Sequence, residues 1–124
     1  MKIRIQGNSI RYRLRKPEVA QFKKYGRVSE TIQLGSEAHQ QLEFMLKESS
    51  TNTIAVTYQT NSTTVHVPKQ LAEVWTGTEQ VGFEAIVEIG NGKALKVLVE
   101  KDFKCLDGSD AENEGAYQNP NAHC

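Results

Sequence analysis

Apolar and polar residues alternate strictly along the first two segments of the chain, residues 2–6 and residues 9–15. Alternation with a period of two is typical of half-buried β-strands, and Gly7-Asn8 between the segments suits a two-residue hairpin loop. Because such a loop fixes the register, the apolar side chains are expected on one face and the cations on the other. The expected pairs are Ile5 with Ile10, Ile3 with Tyr12, Arg4 with Arg11, and Lys2 with Arg13.

A short helix and a second hairpin are expected after this first hairpin. Pro17 suits the first helical turn, Glu18 favours the positive end of the helix, and Gly26 suits its end. Val19 and Phe22 would form its buried stripe. The second hairpin is indicated by two apolar series joined by a long polar connection, Gly35 to Gln41. These series are Val28, Ile32 and Leu34, then Leu42, Phe44 and Leu46.

The same order of elements occurs twice. Residues 2–48 align on residues 55–101 at a shift of 53 positions without a gap, and six of the 47 pairs are identical. Thirteen columns are apolar in both windows, whereas independent placement predicts about seven. The sequence therefore predicts an internal duplication, in which a residue present in only one copy is a candidate for function.

The second copy predicts its own hairpins and helix. Thr60-Asn61 would join a hairpin that pairs Tyr58 with Thr63 and Val56 with Val65, and the helix stripe would be Leu71, Ala72 and Trp75. An alternating strand from Val81 to Val87 then leads to the turn Gly90-Asn91-Gly92. A three-residue loop there keeps the apolar faces together. It pairs Val87 with Leu95, Ala85 with Val97, and Phe83 with Val99.

The fold expected from these patterns is of the α+β class. It consists of two ββαββ units, with eight mainly antiparallel strands, two short helices and an irregular C-terminal tail. The strands would form either a barrel or two packed sheets, and the sequence does not choose between them. Residues 1–124 are expected to form a single domain, with pseudo-repeats at 2–48 and 55–101 and the tail at 104–124.

Composition narrows the function classes. Fifteen basic residues balance fifteen acidic ones, so the overall charge gives no case for a nucleic-acid or anionic-membrane partner. No apolar run is long enough to span a bilayer, and residues 1–6 alternate instead of forming a signal segment. A cytoplasmic protein is therefore expected. Two cysteines are too few for a disulfide scaffold.

One candidate site is the basic side of the first hairpin, where Arg4, Arg11 and Arg13 would bind a phosphate-type or carboxylate ligand through arginine forks. The second copy has neutral side chains or histidine at the equivalent positions. The alternative interpretation is that this side is an ordinary solvated sheet face, whose cations would pair with nearby carboxylates. The candidate carboxylates are Glu43, Glu84, Glu88 and Glu100.

A second candidate is a zinc site formed by Cys105, His123 and Cys124 at the two ends of the tail. The spacing matches no standard zinc motif, and further ligands would be needed from Asp107, Asp110, His39, His66 or a second chain. A disulfide between Cys105 and Cys124, and two free thiols, are the alternatives. A Cys105–histidine pair for nucleophilic catalysis is disfavoured, because nothing local activates the thiol.

Four segments of the chain resemble a small bacterial family of uncharacterised proteins. These are Lys2–Leu14, Val67–Trp75, Leu95–Asp107 and Tyr117–Ala122. The resemblance covers nearly the whole chain and implies that the tail is part of the domain. It implies no activity and assigns no catalytic residue.

We therefore expect a small binding or interaction domain rather than an enzyme, with its tail folded back and zinc at Cys105, His123 and Cys124 as the cofactor under consideration. Phosphate or polyphosphate binding on the basic hairpin is the first alternative. An oligomerisation module is the second, because Ile86 and Leu98 lie on the outer parity of the last hairpin and would favour a homodimer.

Overall fold

The computed structural model describes residues 1–103, and its elements follow the expected order. Each half contains a hairpin, a helix and a second hairpin. The elements are β1 (Lys2–Gln6), β2 (Ser9–Leu14), α1 (Lys16–Tyr25), β3 (Arg27–Gln33), β4 (Gln41–Ser49), β5 (Ala55–Gln59), β6 (Ser62–Pro68), α2 (Lys69–Gly77), β7 (Gly82–Gly90) and β8 (Lys93–Lys101).

The strands form two packed sheets of four, in the orders β1-β2-β8-β7 and β3-β4-β6-β5, and not a closed barrel. The α+β class is thus confirmed, and the choice that the sequence left open is resolved. Each sheet combines one hairpin from each half of the chain. Pairing within the hairpins is antiparallel, whereas β2 with β8 and β4 with β6 pair in parallel at the sheet centres.

The hairpin registers expected from the alternation are confirmed, including Ile3 with Tyr12, Val56 with Val65, and Ala85 with Val97. Only the loop of the last hairpin differs. It has two residues, Asn91 and Gly92, both at positive φ, as a type I′ turn requires. The extra residue is taken up by a β-bulge between Glu88 and Gly90, so the pairs further along the strands are unchanged.

The two parallel pairings have the same register. Ser9 lies opposite Lys96 and Ser62 lies opposite Glu43, and each pair is related to the other by the shift of 53 positions. The two sheets are therefore equivalent strand for strand, with β1, β2 and β8 matching β5, β6 and β4. Common descent of the two halves stays a prediction.

Strand β7 departs from that shift by two residues. The alignment places Val81 on Val28, but Val81 is half-exposed and lies before β7. Val28 lies opposite Leu46 and Phe83 lies opposite Val99, so Phe83 holds the position equivalent to Val28. The longer connection after α2 also supplies a hydrogen-bond acceptor, because the Trp75 indole Nε1 donates to the Val81 carbonyl at 3.1 Å.

The two helices meet through the aromatic side chains that the sequence assigns to their buried stripes. Phe22 and Trp75 are almost fully buried, with ring centroids 6.0 Å apart, and the Trp75 ring contacts Phe83 edge-on at 5.4 Å. Helix α1 ends at Gly26, which adopts a left-handed conformation (φ 73°) that glycine tolerates best. The main core lies between the sheets and is formed by Tyr12, Leu14, Leu46, Val65, Val67, Val97 and Val99.

The helices are short, at ten residues for α1 and nine for α2. Within residues 1–103, no helix has the length and apolar character needed to cross a membrane.

Candidate functional site

The outward side of the sheet β1-β2-β8-β7 concentrates charge, and we call it the arginine face. Its inward counterparts, such as Tyr12 and Val99, are fully buried, so the other parity of each strand points to solvent. Arg4 lies directly opposite Arg11, and Arg11 lies beside Leu98 on β8. The face contains Lys2, Arg4, Arg11, Arg13, Glu84, Lys96, Leu98 and Glu100.

One end of the arginine face is neutralised by two mostly buried carboxylates. The Glu100 Oε1 atom lies 3.0 Å from Arg13 Nε and 3.5 Å from Arg11 Nε. Asp102, just after β8, lies 3.0 Å from Lys2 Nζ and 3.9 Å from Arg13 Nε. Arg13 is thus held between two acids, which is the arrangement of a structural ion-pair network.

The other end of the face forms a surface depression of about 240 Å³. Within residues 1–103, neither Arg4 nor Lys96 has a carboxylate within 4 Å, and Arg11 reaches only Glu100. Positive charge is therefore in excess at this point of the sheet. The depression is lined by Arg4, Gln6, Ser9, Arg11, Lys96 and Leu98.

The structure brings two of the three expected ligand-binding residues together at this depression. Arg4 and Arg11 line it, whereas Arg13 lies one residue pair further along the sheet with its acids. Sequence reasoning missed Lys96, whose position depends on the pairing of β8 beside β2. The alternation of the last hairpin places Lys96 on the outward side of its strand. This was the one feature of the sequence that could have identified it as a site residue.

The outward side of the other sheet, β5-β6-β4-β3, is mostly uncharged, and we call it the threonine face. Its centre is His66, whose Nδ1 lies 2.8 Å from Ser49 Oγ and whose Nε2 lies 2.9 Å from Thr57 Oγ1. Partial burial, and then the positive charge of Lys47, lower the pKa of His66. A neutral imidazole has one donor and one acceptor nitrogen, so both hydroxyl contacts are satisfied.

The proposed zinc ligands Cys105, His123 and Cys124 lie outside the described residues, and the metal hypothesis stays a prediction. The same holds for the Cys105–histidine pair. Within residues 1–103, no group of three His, Cys, Asp or Glu side chains is placed to hold a metal ion. Stoichiometric zinc in an elemental analysis of the purified protein would support the site, and its absence would exclude it.

The residues expected at a homodimer contact differ in exposure. The Ile86 side chain is 75% exposed, whereas Leu98 is half-buried and lines the depression. The homodimer stays a prediction, and sedimentation at high protein concentration would test it.

Comparison with known proteins identifies a family and no activity. The sequence matches the family described as a family of unknown function, DUF7009, over residues 1–121. The chain belongs to this family. The resemblance to an uncharacterised family is thereby confirmed, and the DUF7009 match extends into the segment after residue 103. No curated protein and no solved structure matches the chain significantly.

Proposed function

We propose that this DUF7009 domain binds a small phosphate-type oxyanion in the depression on the arginine face. The single observation that carries the proposal is the convergence of Arg4, Arg11 and Lys96 around one concavity with Glu100 as their only carboxylate contact within residues 1–103. An arginine guanidinium has five donors arranged to grip two oxygens of one anion, and a lysine adds a compact positive charge.

The neighbouring polar groups support an oxyanion over a simple halide. The Ser9 hydroxyl and the Gln6 amide line the same depression and can donate hydrogen bonds to further oxygens. Arg13, the third residue expected from the sequence, would act indirectly by holding Glu100 through its 3.0 Å contact. That contact limits how far Glu100 neutralises Arg11.

The second sheet supports the proposal by contrast. The positions equivalent to Arg4, Arg11 and Lys96 are occupied by Thr57, Thr64 and Glu43. A solvated sheet face of this fold therefore does not require the three cations, and their presence on one sheet favours a ligand.

The test is calorimetry and thermal denaturation with pyrophosphate and tripolyphosphate, each with and without magnesium. A ligand at about 100 times its dissociation constant stabilises the folded protein by about 2.7 kcal/mol. We expect that stabilisation for the wild-type protein and its loss in the double variant Arg4→Gln/Lys96→Gln.

The control is Lys69→Gln/Lys93→Gln, which removes the same charge from two exposed lysines elsewhere. Equal stabilisation of both double variants would contradict the proposal. So would the absence of any effect of the polyphosphates on the wild-type protein.

A further inference from the structure

A second basic concavity lies where helix α1 turns into strand β3, away from the arginine face. The left-handed Gly26 reverses the chain there, and the backbone N–H of Glu48 donates to the Gly26 carbonyl at 2.8 Å. The resulting open cleft has a volume of about 780 Å³, and we call it the lysine cleft. Its side chains include Lys23, Lys24, Tyr25, Arg27, Lys47 and Glu48.

Only two of the four cations in the lysine cleft have an evident role in the fold. Lys23 and Lys24 lie in the last turn of α1, where cations stabilise the helix dipole. Arg27 and Lys47, in contrast, are directly opposite each other on β3 and β4, and like charges in that position disfavour strand pairing. Within residues 1–103, none of these four cations has a carboxylate within 4 Å.

The positive charge of Lys47 also acts on His66, its neighbour on the other side. Lys47 also lies opposite His66 on β6, and its charge contributes to the lowered pKa of that histidine. The strands thus place Arg27, Lys47 and His66 in one row across the sheet without an acid between them. An anion bound in the cleft would relieve this repulsion.

The corresponding region of the second half lacks these features. Lys23, Lys24 and Tyr25 align on Thr76, Gly77 and Thr78. In the sheets, Lys47 is equivalent to Glu100, and Arg27 is equivalent to Gly82 through the two-residue offset of β7. The basic cleft is therefore specific to the first half, like the cations of the arginine face.

The cleft also presents an aromatic ring to solvent. The Tyr25 side chain is 64% exposed, and the Lys24 ammonium group lies 5.1 Å from the centre of its ring. An exposed aromatic ring beside several cations is the combination that stacks a nucleobase while the cations hold phosphate oxygens. The volume of the cleft lies in the range of small-molecule sites.

We infer that the lysine cleft binds a nucleotide, with its phosphates on Lys23, Arg27 and Lys47 and its base stacked on Tyr25. This site is separate from the depression proposed above. The base and phosphates of a mononucleotide would both fit within this one cleft. A polynucleotide would need a series of cations that continues beyond the cleft.

The test is isothermal titration with ATP, inorganic triphosphate and adenosine, in the background Arg4→Gln/Lys96→Gln so that the arginine face does not contribute. We expect saturable ATP binding that the further change Arg27→Gln/Lys47→Gln weakens at least tenfold. Tyr25→Leu should weaken ATP binding at least about fivefold and leave the affinity for inorganic triphosphate unchanged. The change Lys69→Gln/Lys93→Gln serves as the charge-matched control.

Several outcomes would overturn the inference. They are no binding of ATP, equal binding of ATP and inorganic triphosphate with no effect of Tyr25→Leu, or an unchanged affinity in the Arg27→Gln/Lys47→Gln variant. A six-nucleotide oligoadenylate can be bound through any of its nucleotides, which gives it a statistical advantage over ATP. If its affinity exceeded that of ATP by more than this advantage, the cleft would be assigned to single-stranded nucleic acid instead. Circular dichroism and melting temperatures of each variant would show that it is folded.

Discussion

The arginine face and the threonine face occupy equivalent sides of two sheets with the same strand order and the same parallel register. Their chemistry is nevertheless different. The arginine face has cations and acids where the threonine face has hydroxyl groups, a histidine and charges of the opposite sign. Equivalent positions are Arg4 and Thr57, Arg11 and Thr64, Arg13 and His66, Lys96 and Glu43, Glu100 and Lys47, and Asp102 and Ser49.

One residue pair that is identical in the two halves, Asn8 and Asn61, has a structural task. Asn8 and Asn61 occupy the same loop position, and their carbonyls accept hydrogen bonds from the backbone N–H groups of Lys96 at 3.1 Å and Glu43 at 2.8 Å. These bonds tie each first hairpin to the central parallel strand of its sheet. The side-chain amides of Asn8 and Asn61 add to this junction, because they donate to the backbone carbonyls of Ala94 and His39.

Residues that differ between the two outer faces change the surface chemistry of the sheets. On the threonine face, the Ser62 hydroxyl donates to the Glu43 carboxylate at 2.9 Å. The equivalent pair on the arginine face is Ser9 with Lys96, and both line the proposed anion site. The same backbone thus carries opposite charge at one position, which shows that the charge is not dictated by the sheet.

The largest effect is expected from placing the residue of one face on the other. Glu100→Lys introduces the side chain found at the equivalent position 47 and leaves Arg11 and Arg13 beside a third cation. Because the Glu100 side chain is mostly buried, we expect a loss of about 2 kcal/mol in the free energy of unfolding. Urea denaturation would measure the loss, and high salt should reduce it by screening the repulsion.

The mirror change is Lys47→Glu, which puts an acid between Arg27 and His66. We expect no loss of stability, since the change replaces cross-strand repulsion by attraction. Equal destabilisation by Lys47→Glu and Glu100→Lys would break the comparison, because it would mean that both faces respond to charge reversal in the same way. The same variant should abolish nucleotide binding in the lysine cleft.

The local alternation of apolar and polar residues was sufficient to predict each hairpin. It was not sufficient to predict how the hairpins assemble into sheets. The pairing of Ile3 with Tyr12, for example, follows from alternation and a two-residue loop. The pairing of β2 with β8 joins positions about 90 residues apart, and alternation contains no information on such a partner. Glu100 was one of four carboxylates expected near the basic hairpin, but Asp102 and Lys96, whose positions depend on this pairing, were missed.

The pairing of β7 with β8 was predicted correctly, but its equivalence to β3 could not be, for a related reason. A shift of two residues leaves every side chain of a strand on the same face, so Val81 and Phe83 fit the apolar pattern equally well. The structure selects Phe83, which packs against Trp75, while the Val81 carbonyl accepts the indole hydrogen bond. Tertiary packing around one larger aromatic residue therefore fixes what the periodicity leaves open.

An intermediate effect is expected from His66, the position equivalent to Arg13. Its pKa lies below the ordinary value of about 6.5, so the folded protein favours the neutral ring. The contribution of His66 to stability should be complete above that ordinary value and decline as the pH falls through the lower pKa of the folded state. Ring-proton NMR titration would measure the pKa directly.

Two variants sharpen the His66 prediction. Lys47→Gln should raise the pKa of His66 because it removes the repelling charge, and His66→Gln should remove its part of the pH dependence of unfolding. A folded-state pKa at or above the ordinary value would show that partial burial and the Lys47 charge do not favour the neutral ring.

The smallest effect is expected inside the core, where Tyr12 of one sheet is equivalent to Val65 of the other. Both side chains are fully buried, and the Tyr12 hydroxyl has no hydrogen-bond partner within residues 1–103. Removing an unsatisfied buried hydroxyl relieves a desolvation cost, so Tyr12→Phe should be neutral or stabilising by up to about 1 kcal/mol. The edge-on contact with the Phe44 ring, at 6.5 Å between centroids, would be retained.

Measurements at alkaline pH distinguish the contribution of the Tyr12 hydroxyl to stability from that of its ring. Burial raises the pKa of Tyr12 above its ordinary value of about 10, so the wild-type protein should lose stability as the pH rises through and beyond that value. Tyr12→Phe should lose less over the same range, because it lacks the phenol that must stay protonated in the core. If Tyr12→Phe instead lowered the free energy of unfolding by more than about 1 kcal/mol at neutral pH, the hydroxyl would have to be bonded to a group outside residues 1–103 or to buried water. In that case the inner faces of the two sheets would differ in polarity as their outer faces do.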